Sequence, residues 1–185
     1  MAGRNAGEAD SKFAYFFRES LSVLTGSFLL GASEGNERIL VFRAPVRLER
    51  KGESYPLYMS VVQTYTVIAS RDGQFKVKTT SYIYSLLSKC NGEIREVLEF
   101  HWHPKSTPKL KWPHLHILGT LHSDEDIRKV HFPTARFCIE DFIRLLIRDF
   151  GVKPRLTHSV WREILTRNKQ AFMDSASWLH WESLI

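Results

Sequence analysis

The dipeptide Asp72–Gly73 stands between two long β-type runs, and this limits the folds open to the chain more than any other feature. Leu57 to Ala69 is rich in Val, Thr and Tyr, residues suited to a pleated, half-buried surface. Phe75 to Leu87 follows, with Phe75, Val77, Thr79, Ser81 and Ile83 on one side and Lys76, Lys78, Thr80, Tyr82 and Tyr84 on the other. Asp-Gly between such runs marks a hairpin, because both turn residues accept the backbone that a tight turn requires. Asn91–Gly92 repeats the signal, and Val97 to His103 and His114 to Leu118 supply two more strands. Ile39 to Leu48 is an earlier strand in which Pro45 marks an edge or a bulge. Consecutive strands with tight turns predict an antiparallel β-meander of about five strands. There is no βαβ alternation and no internal repeat.

Helices flank this meander. Phe13, Phe16, Phe17, Leu21 and Leu24 recur at helical spacing, which predicts an N-terminal helix ending near Gly26. Gly31 to Asn36 reads as a loop. Residues 1–10 are small and polar and read as a disordered tail, leaving 11–185 as a single α+β domain. Ile139, Phe142, Ile143, Leu146, Ile147 and Phe150 form the apolar stripe of a helix that packs on the sheet. Glu140 and Asp141 suit its first turn, and Gly151 and Pro154 its end. A last helix runs from a Thr157 cap to Phe172. The two C-terminal helices are expected on one face of the sheet. The apolar tail with Trp178, Trp181, Leu184 and Ile185 either docks on its own domain or mediates assembly.

Charge and cysteine usage narrow the partners. With 43% apolar residues the chain can build a proper core. Its net charge of +6 and pI near 9.4 favour a polyanionic partner such as nucleic acid, though a basic soluble protein needs no such partner. Cys90 and Cys138 are far apart and form no C-x-x-C pattern, which suits a reducing compartment. No apolar run reaches the roughly 18–20 residues that span a bilayer. The run from Ser20 to Ser33 comes nearest and lacks the basic start of a signal peptide. The expectation is a cytoplasmic protein with no membrane partner, for which homo-oligomers stay open.

Four of the eight histidines form two His-x-His pairs, His101/His103 and His114/His116. Residues at i and i+2 of a strand share a face, so Glu99, His101 and His103 lie together, as do His114 and His116. If His103 pairs across from His114, then His101 faces His116 and the four imidazoles form one patch, with opposed side chains about 5 Å apart. A slip by one residue would separate the pairs.

Three chemistries fit such a patch. Glu99, His101, His103, His114 and His116 could hold zinc or another transition ion. Alternatively, His101, His103, His114 and His116 could act as general acid and base on a phosphodiester, which would cleave RNA with no cofactor. Cations for the phosphate would come from Lys105, Lys109 and Lys111 in the connector, and from His131 and Arg136 ahead of a helix N-terminus, where anions bind. The third reading is structural, with the rings bonded to backbone at the ends of a rigid connector. The aromatics Tyr82, Tyr84, Phe100 and Trp102 either stack bases on an open sheet or pack under helices.

The order of these residues is familiar as well. Tyr82-Ile83-Tyr84, a turn at Gly92, Phe100, Trp102, His103-Pro104, Pro113-His114-Leu115-His116, Pro133 and a helix from Ile139-Glu140 follow one another. Over roughly 82–146 this resembles the TumE-like toxins of prokaryotic toxin–antitoxin pairs. The resemblance implies a cytoplasmic growth inhibitor with a neutralising antitoxin partner, and it transfers no catalytic set. His114-Leu115-His116 also looks like the His-hydrophobe-His element of nicking endonucleases, but no tyrosine nucleophile occurs after Pro133. The leading expectation is a toxin-like, nucleic-acid-directed protein acting as a ribonuclease. The alternatives are a non-catalytic interaction module with a structural histidine hairpin, and a metal-binding hydrolase.

Overall fold

The computed structural model describes residues 2–50, 52, 55–90, 92–104, 112–117 and 132–175. The connector lysines Lys105, Lys109 and Lys111, His131, and the tail tryptophans Trp178 and Trp181 lie outside the described residues. The fold is α+β, with an antiparallel sheet and, among the described residues, three helices.

Residues 2–10 of the stretch read from composition as a tail take part in the fold. Strand β1 (Ala2–Gly3) pairs with the strand that follows Asp72–Gly73. Helix α1 (Ala6–Ser22) begins well before its apolar stripe. The Asn5 side chain caps it by accepting from the Glu8 amide at 2.8 Å, and the Glu8 carboxylate reaches back to accept from the Arg4 amide at 2.8 Å. Gly3 passes so close to this turn that a Cβ there would stand 2.5 Å from the Ala9 nitrogen.

Next come β2 (Leu29–Glu34), β3 (Glu37–Phe42) and β4 (Val46–Leu48). The expected loop at Gly31 to Asn36 is mostly strand β2, hairpinned to β3 from Leu29↔Phe42 to Glu34↔Glu37. It escapes pattern reading because five of its six residues are exposed and carry no alternation. The expected strand from Ile39 to Leu48 is broken at Pro45 into β3 and β4, and both pieces pair with the next strand.

Strands β5 (Leu57–Ala69), β6 (Phe75–Cys90), β7 (Glu93–Trp102), β8 (His114–Ile117) and β9 (Phe132–Pro133) complete the sheet. Its order is β2-β3-β5-β6-β7-β8-β9, with β1 on β6 and β4 on β5. Among the described residues there are nine strands, against about five expected. The additions are short or exposed pieces at the margins.

Two bulges decide which residues face the helices. Tyr65 pairs with Thr79 and Thr64 with Ser81, which leaves Thr80 as an extra residue in β6. Before it Thr79 is buried; after it Tyr82, Tyr84 and Leu86 are the residues of β6 that enter the helix-covered core. The strict alternation read from the sequence therefore breaks at Thr80. In the next pairing Leu86 faces Leu98 and Leu87 faces Glu96, so Val97 is the extra residue.

Helices α2 (Ile139–Arg148) and α3 (His158–Ser175) follow the sheet. Phe142, Ile143 and Leu146 of α2 share one core with Phe13, Phe17 and Leu21 of α1, and with Met59, Val61, Tyr84, Leu86 and Phe100 of the sheet. Tyr84 stacks 5.8 Å from Phe142, and Phe100 stacks 3.8 Å from Phe137. Tyr82, Tyr84 and Phe100 are 2%, 2% and 7% exposed, so they pack under helices and are closed to bases. Burying each such ring in place of leaving it in water stabilises the fold by about 1.5–3 kcal/mol. Asn168 of α3 donates to the Phe16 carbonyl and Ser20 hydroxyl of α1, and Ser20 donates to Glu140 of α2. This buried chain ties the three helices together. Among the described residues, no helix is long and apolar enough to cross a membrane.

Candidate metal centre

Strands β7 and β8 carry the histidines, and their register differs from the expected one by two residues. His101 faces His114, Phe100 faces Leu115, and Glu99 faces His116. A shift of two preserves faces, so Glu99, His101, His114 and His116 still share one side. That side is opposite to Leu98 and Phe100, which belong to the helix-covered core. β9 flanks β8 through His114↔Pro133, and Thr134 donates its amide to the Pro113 carbonyl at 2.9 Å. A proline in this short β9 costs little, since only one side of it bonds within the described sheet.

Three rings converge. His101 lies 4.0 Å from His114 and 4.5 Å from His116, centroid to centroid, and His114 lies 5.0 Å from His116. One nitrogen from each can be chosen so that all three lie within 4.8 Å of one another. His103 falls beyond the paired part of β7, 5.4 Å from His101, and stands outside this triad.

Hydrogen bonds orient two of the three rings. His101 Nδ1 is 2.7 Å from Glu99 Oε1, and a charged carboxylate only accepts, so Nδ1 carries the proton. His114 Nδ1 is 2.9 Å from the Trp112 carbonyl oxygen, which also only accepts. In the neutral form each of these rings then carries its lone pair on Nε2. Glu99 is held in turn, because Ser85 donates to its Oε2 at 3.0 Å. Burial works against the Glu99 charge, but the hydrogen bonds from His101 and Ser85 prevail and keep the carboxyl below its usual range. Burial, and then the neighbouring His101, lower the His103 imidazole. Burial, and then the charge of Glu99, raise the Glu96 carboxyl.

Glu99 therefore does not stand among the convergent donors. It occupies the place of an outer carboxylate that orients a ligand histidine and raises its basicity. Ser85 and the Trp112 carbonyl complete the support, and neither was apparent in the sequence. Ser85 meets Glu99 only because Val97 is bulged out; without it, the Asn91–Gly92 turn would set Ser85 against Leu98.

Arg136 does not join the histidines. It lies on the helix side, with its guanidinium 4.7 Å from the centre of the Trp102 ring and 3.5 Å from the Thr79 carbonyl oxygen. Burial lowers its pKa. The fold therefore does not bring Arg136 to the histidine face, because Trp102 and His101 point to opposite sides of β7.

Fold and site together define the class: an antiparallel α+β protein with a three-histidine cluster on the sheet face away from its helices. Protein-family models, curated proteins and solved structures give no significant match to the chain, so this class rests on its own geometry.

Proposed function

We propose that the protein is a metal-dependent hydrolase whose ion is held by His101, His114 and His116. The observation that carries this reading is the convergence of three imidazole nitrogens within 4.8 Å, two on rings whose other nitrogen is already committed. Three nitrogen donors with a carboxylate behind one of them suit zinc and its neighbours, and ill suit magnesium or calcium, which take oxygen. A zinc-class ion with three protein ligands keeps a position for water and lowers the pKa of that water towards 7. In this reading His101 and His114 present Nε2, Glu99 fixes the His101 ring, and Ser85 fixes Glu99. The net charge of +6 supports an anionic substrate, with the phosphodiesters of RNA first in line.

The metal-free ribonuclease fits less well. His114 is 2% exposed and packs edge-on 4.0 Å from His101, which leaves no width for a phosphodiester between them. Growth inhibition and an antitoxin partner stay part of the proposal through the resemblance to TumE-like toxins alone.

The deciding experiment is metal analysis of the purified protein, followed by cobalt(II) titration read by visible absorption. We expect one ion per chain, and loss of at least about 90% of it in His101→Ala and His114→Ala variants that still fold. Wild-type protein that holds no metal and gives no cobalt spectrum would sink the reading. RNA cleaved unchanged in excess chelator would restore the metal-free alternative.

A further inference from the structure

A second site, at the other end of the sheet, goes beyond the metal reading. A groove of about 750 Å³ runs between α1 and the β2–β3 hairpin. This is within the range of about 300–1,000 Å³ usual for small-molecule sites. Its floor is Ala14, Leu40 and Tyr65, all buried. Gly31, Ala32 and Ser33 of β2 keep the far wall low.

Two cations from opposite walls enter it. Arg18 comes from α1 and reaches over Gly31, where a Cβ would lie 3.7 Å from its Nη2. Arg38 comes from β3, and its guanidinium donates to the backbone oxygens of Gly35 and Glu37 at 3.5 and 3.4 Å. Neither guanidinium has a carboxylate partner among the described residues. Both act on the same phenol, since the charges of Arg38 and Arg18 oppose the rise that burial and Asp10 impose on Tyr65. At the other end, Asp10 Oδ1 accepts from the Tyr65 hydroxyl at 2.7 Å. Its Oδ2 makes no hydrogen bond among the described residues.

A pair of guanidiniums without an ion-pair partner among the described residues is a recognition element for a planar or tetrahedral dianion. A free carboxylate oxygen recognises a hydroxyl. Asp10 and Arg18 lie eight residues apart on α1, about 12 Å along its axis. We propose that this groove binds a sugar phosphate, free or within a nucleotide, with its phosphate between Arg18 and Arg38 and a sugar hydroxyl donated to Asp10. Tyr15, 60% exposed at the rim, is placed to cover the ligand's outer part.

The test is calorimetric titration of the full chain with ribose 5-phosphate and adenosine 5′-monophosphate, with ribose and inorganic phosphate as comparison probes. Saturable one-to-one binding is expected for the two organic phosphates. Arg18→Ala and Arg38→Ala are each expected to weaken it by about tenfold or more. Asp10→Asn should weaken ribose 5-phosphate binding and leave inorganic phosphate binding unchanged. Tighter binding of the nucleotide identifies a nucleotide site; equal binding identifies a free sugar phosphate. Absence of saturable binding by both organic probes, or affinity unchanged in Arg18→Ala, overturns the proposal. Inorganic phosphate binding as tightly as ribose 5-phosphate overturns its sugar part. Metal content is expected to stay at the wild-type level in all three variants, so failure here and failure of the metal reading are separable.

Discussion

Single side chains carry the chemistry of the metal centre, and two of them can be tested by small changes. Glu99→Gln keeps an acceptor for the His101 Nδ1 proton and removes the charge behind the ring. Outer carboxylates of this kind typically contribute about 10–100-fold to metal affinity. We expect Glu99→Gln to weaken zinc by at least about tenfold in a competition titration with a chromophoric chelator. Glu140 offers a test away from that centre. It is 3% exposed, and burial raises its pKa, although the Ser20 hydroxyl bonded to it at 2.8 Å opposes the rise. Below the ordinary value of 4.5 the carboxyl is protonated in both folded and unfolded chains, so it adds no pH dependence. As pH rises past 4.5 the unfolded chain releases its proton first, and the folded state loses stability until its own raised pKa is passed. Denaturant titrations across this window should show wild type falling relative to Glu140→Gln. Parallel curves would mean the carboxyl is not perturbed.

At the scale of elements, the bulges set which residues share a face. Deleting Val97 would remove the extra residue and close the ladder with Leu98 still opposite Leu86 and Glu99 still opposite Ser85, so His101 would keep its face. The expected result is a chain that folds cooperatively by circular dichroism and still binds zinc; loss of either would show that the bulge itself is required. Gly3→Val tests the close approach of β1 to α1, since its Cβ would meet the Ala9 backbone at 2.5 Å. Helix packing has a comparable weak point. Asn168 is fully buried, and its side-chain amide reaches three acceptors of α1, the Phe16 carbonyl, the Glu19 carboxylate and the Ser20 hydroxyl. Asn168→Ala leaves the Phe16 carbonyl without that donor, and a loss of about 2–3 kcal/mol is expected in thermal or urea unfolding. The hairpin turns and the α2 stripe were legible because each is a local pattern. Strand β2 was not, because an exposed edge strand has no buried side to impose alternation.

For the whole molecule, metal binding and folding should be linked. The ligands come from two strands, with a connector between them, and converge only when β7 and β8 pair. An ion at 100 times its dissociation constant would add about 2.7 kcal/mol of stability. For a chain of this size that corresponds to a rise in melting temperature of about 5–10 °C. The rise should vanish in His114→Ala. An equal rise in that variant would show that the metal binds elsewhere, for instance at other surface histidines.

What the sequence alone determined were the local terms. Turn chemistry at Asp72–Gly73 and Asn91–Gly92 set the hairpins, a 3.6-residue stripe set α2, and the i, i+2 spacing put each His-x-His pair on one face. Because side-chain direction alternates with a period of two, that shared face survived a register two residues from the expected one. Only the tertiary structure decided which histidines meet, that Glu99 stands behind His101 in place of joining the donors, and that Arg136 lies on the other side of the sheet. Those outcomes depend on bulges at Thr80 and Val97 and on packing between segments far apart in the chain. Such terms appear only when the strands are paired, since no local preference in the sequence encodes the register of one segment against another.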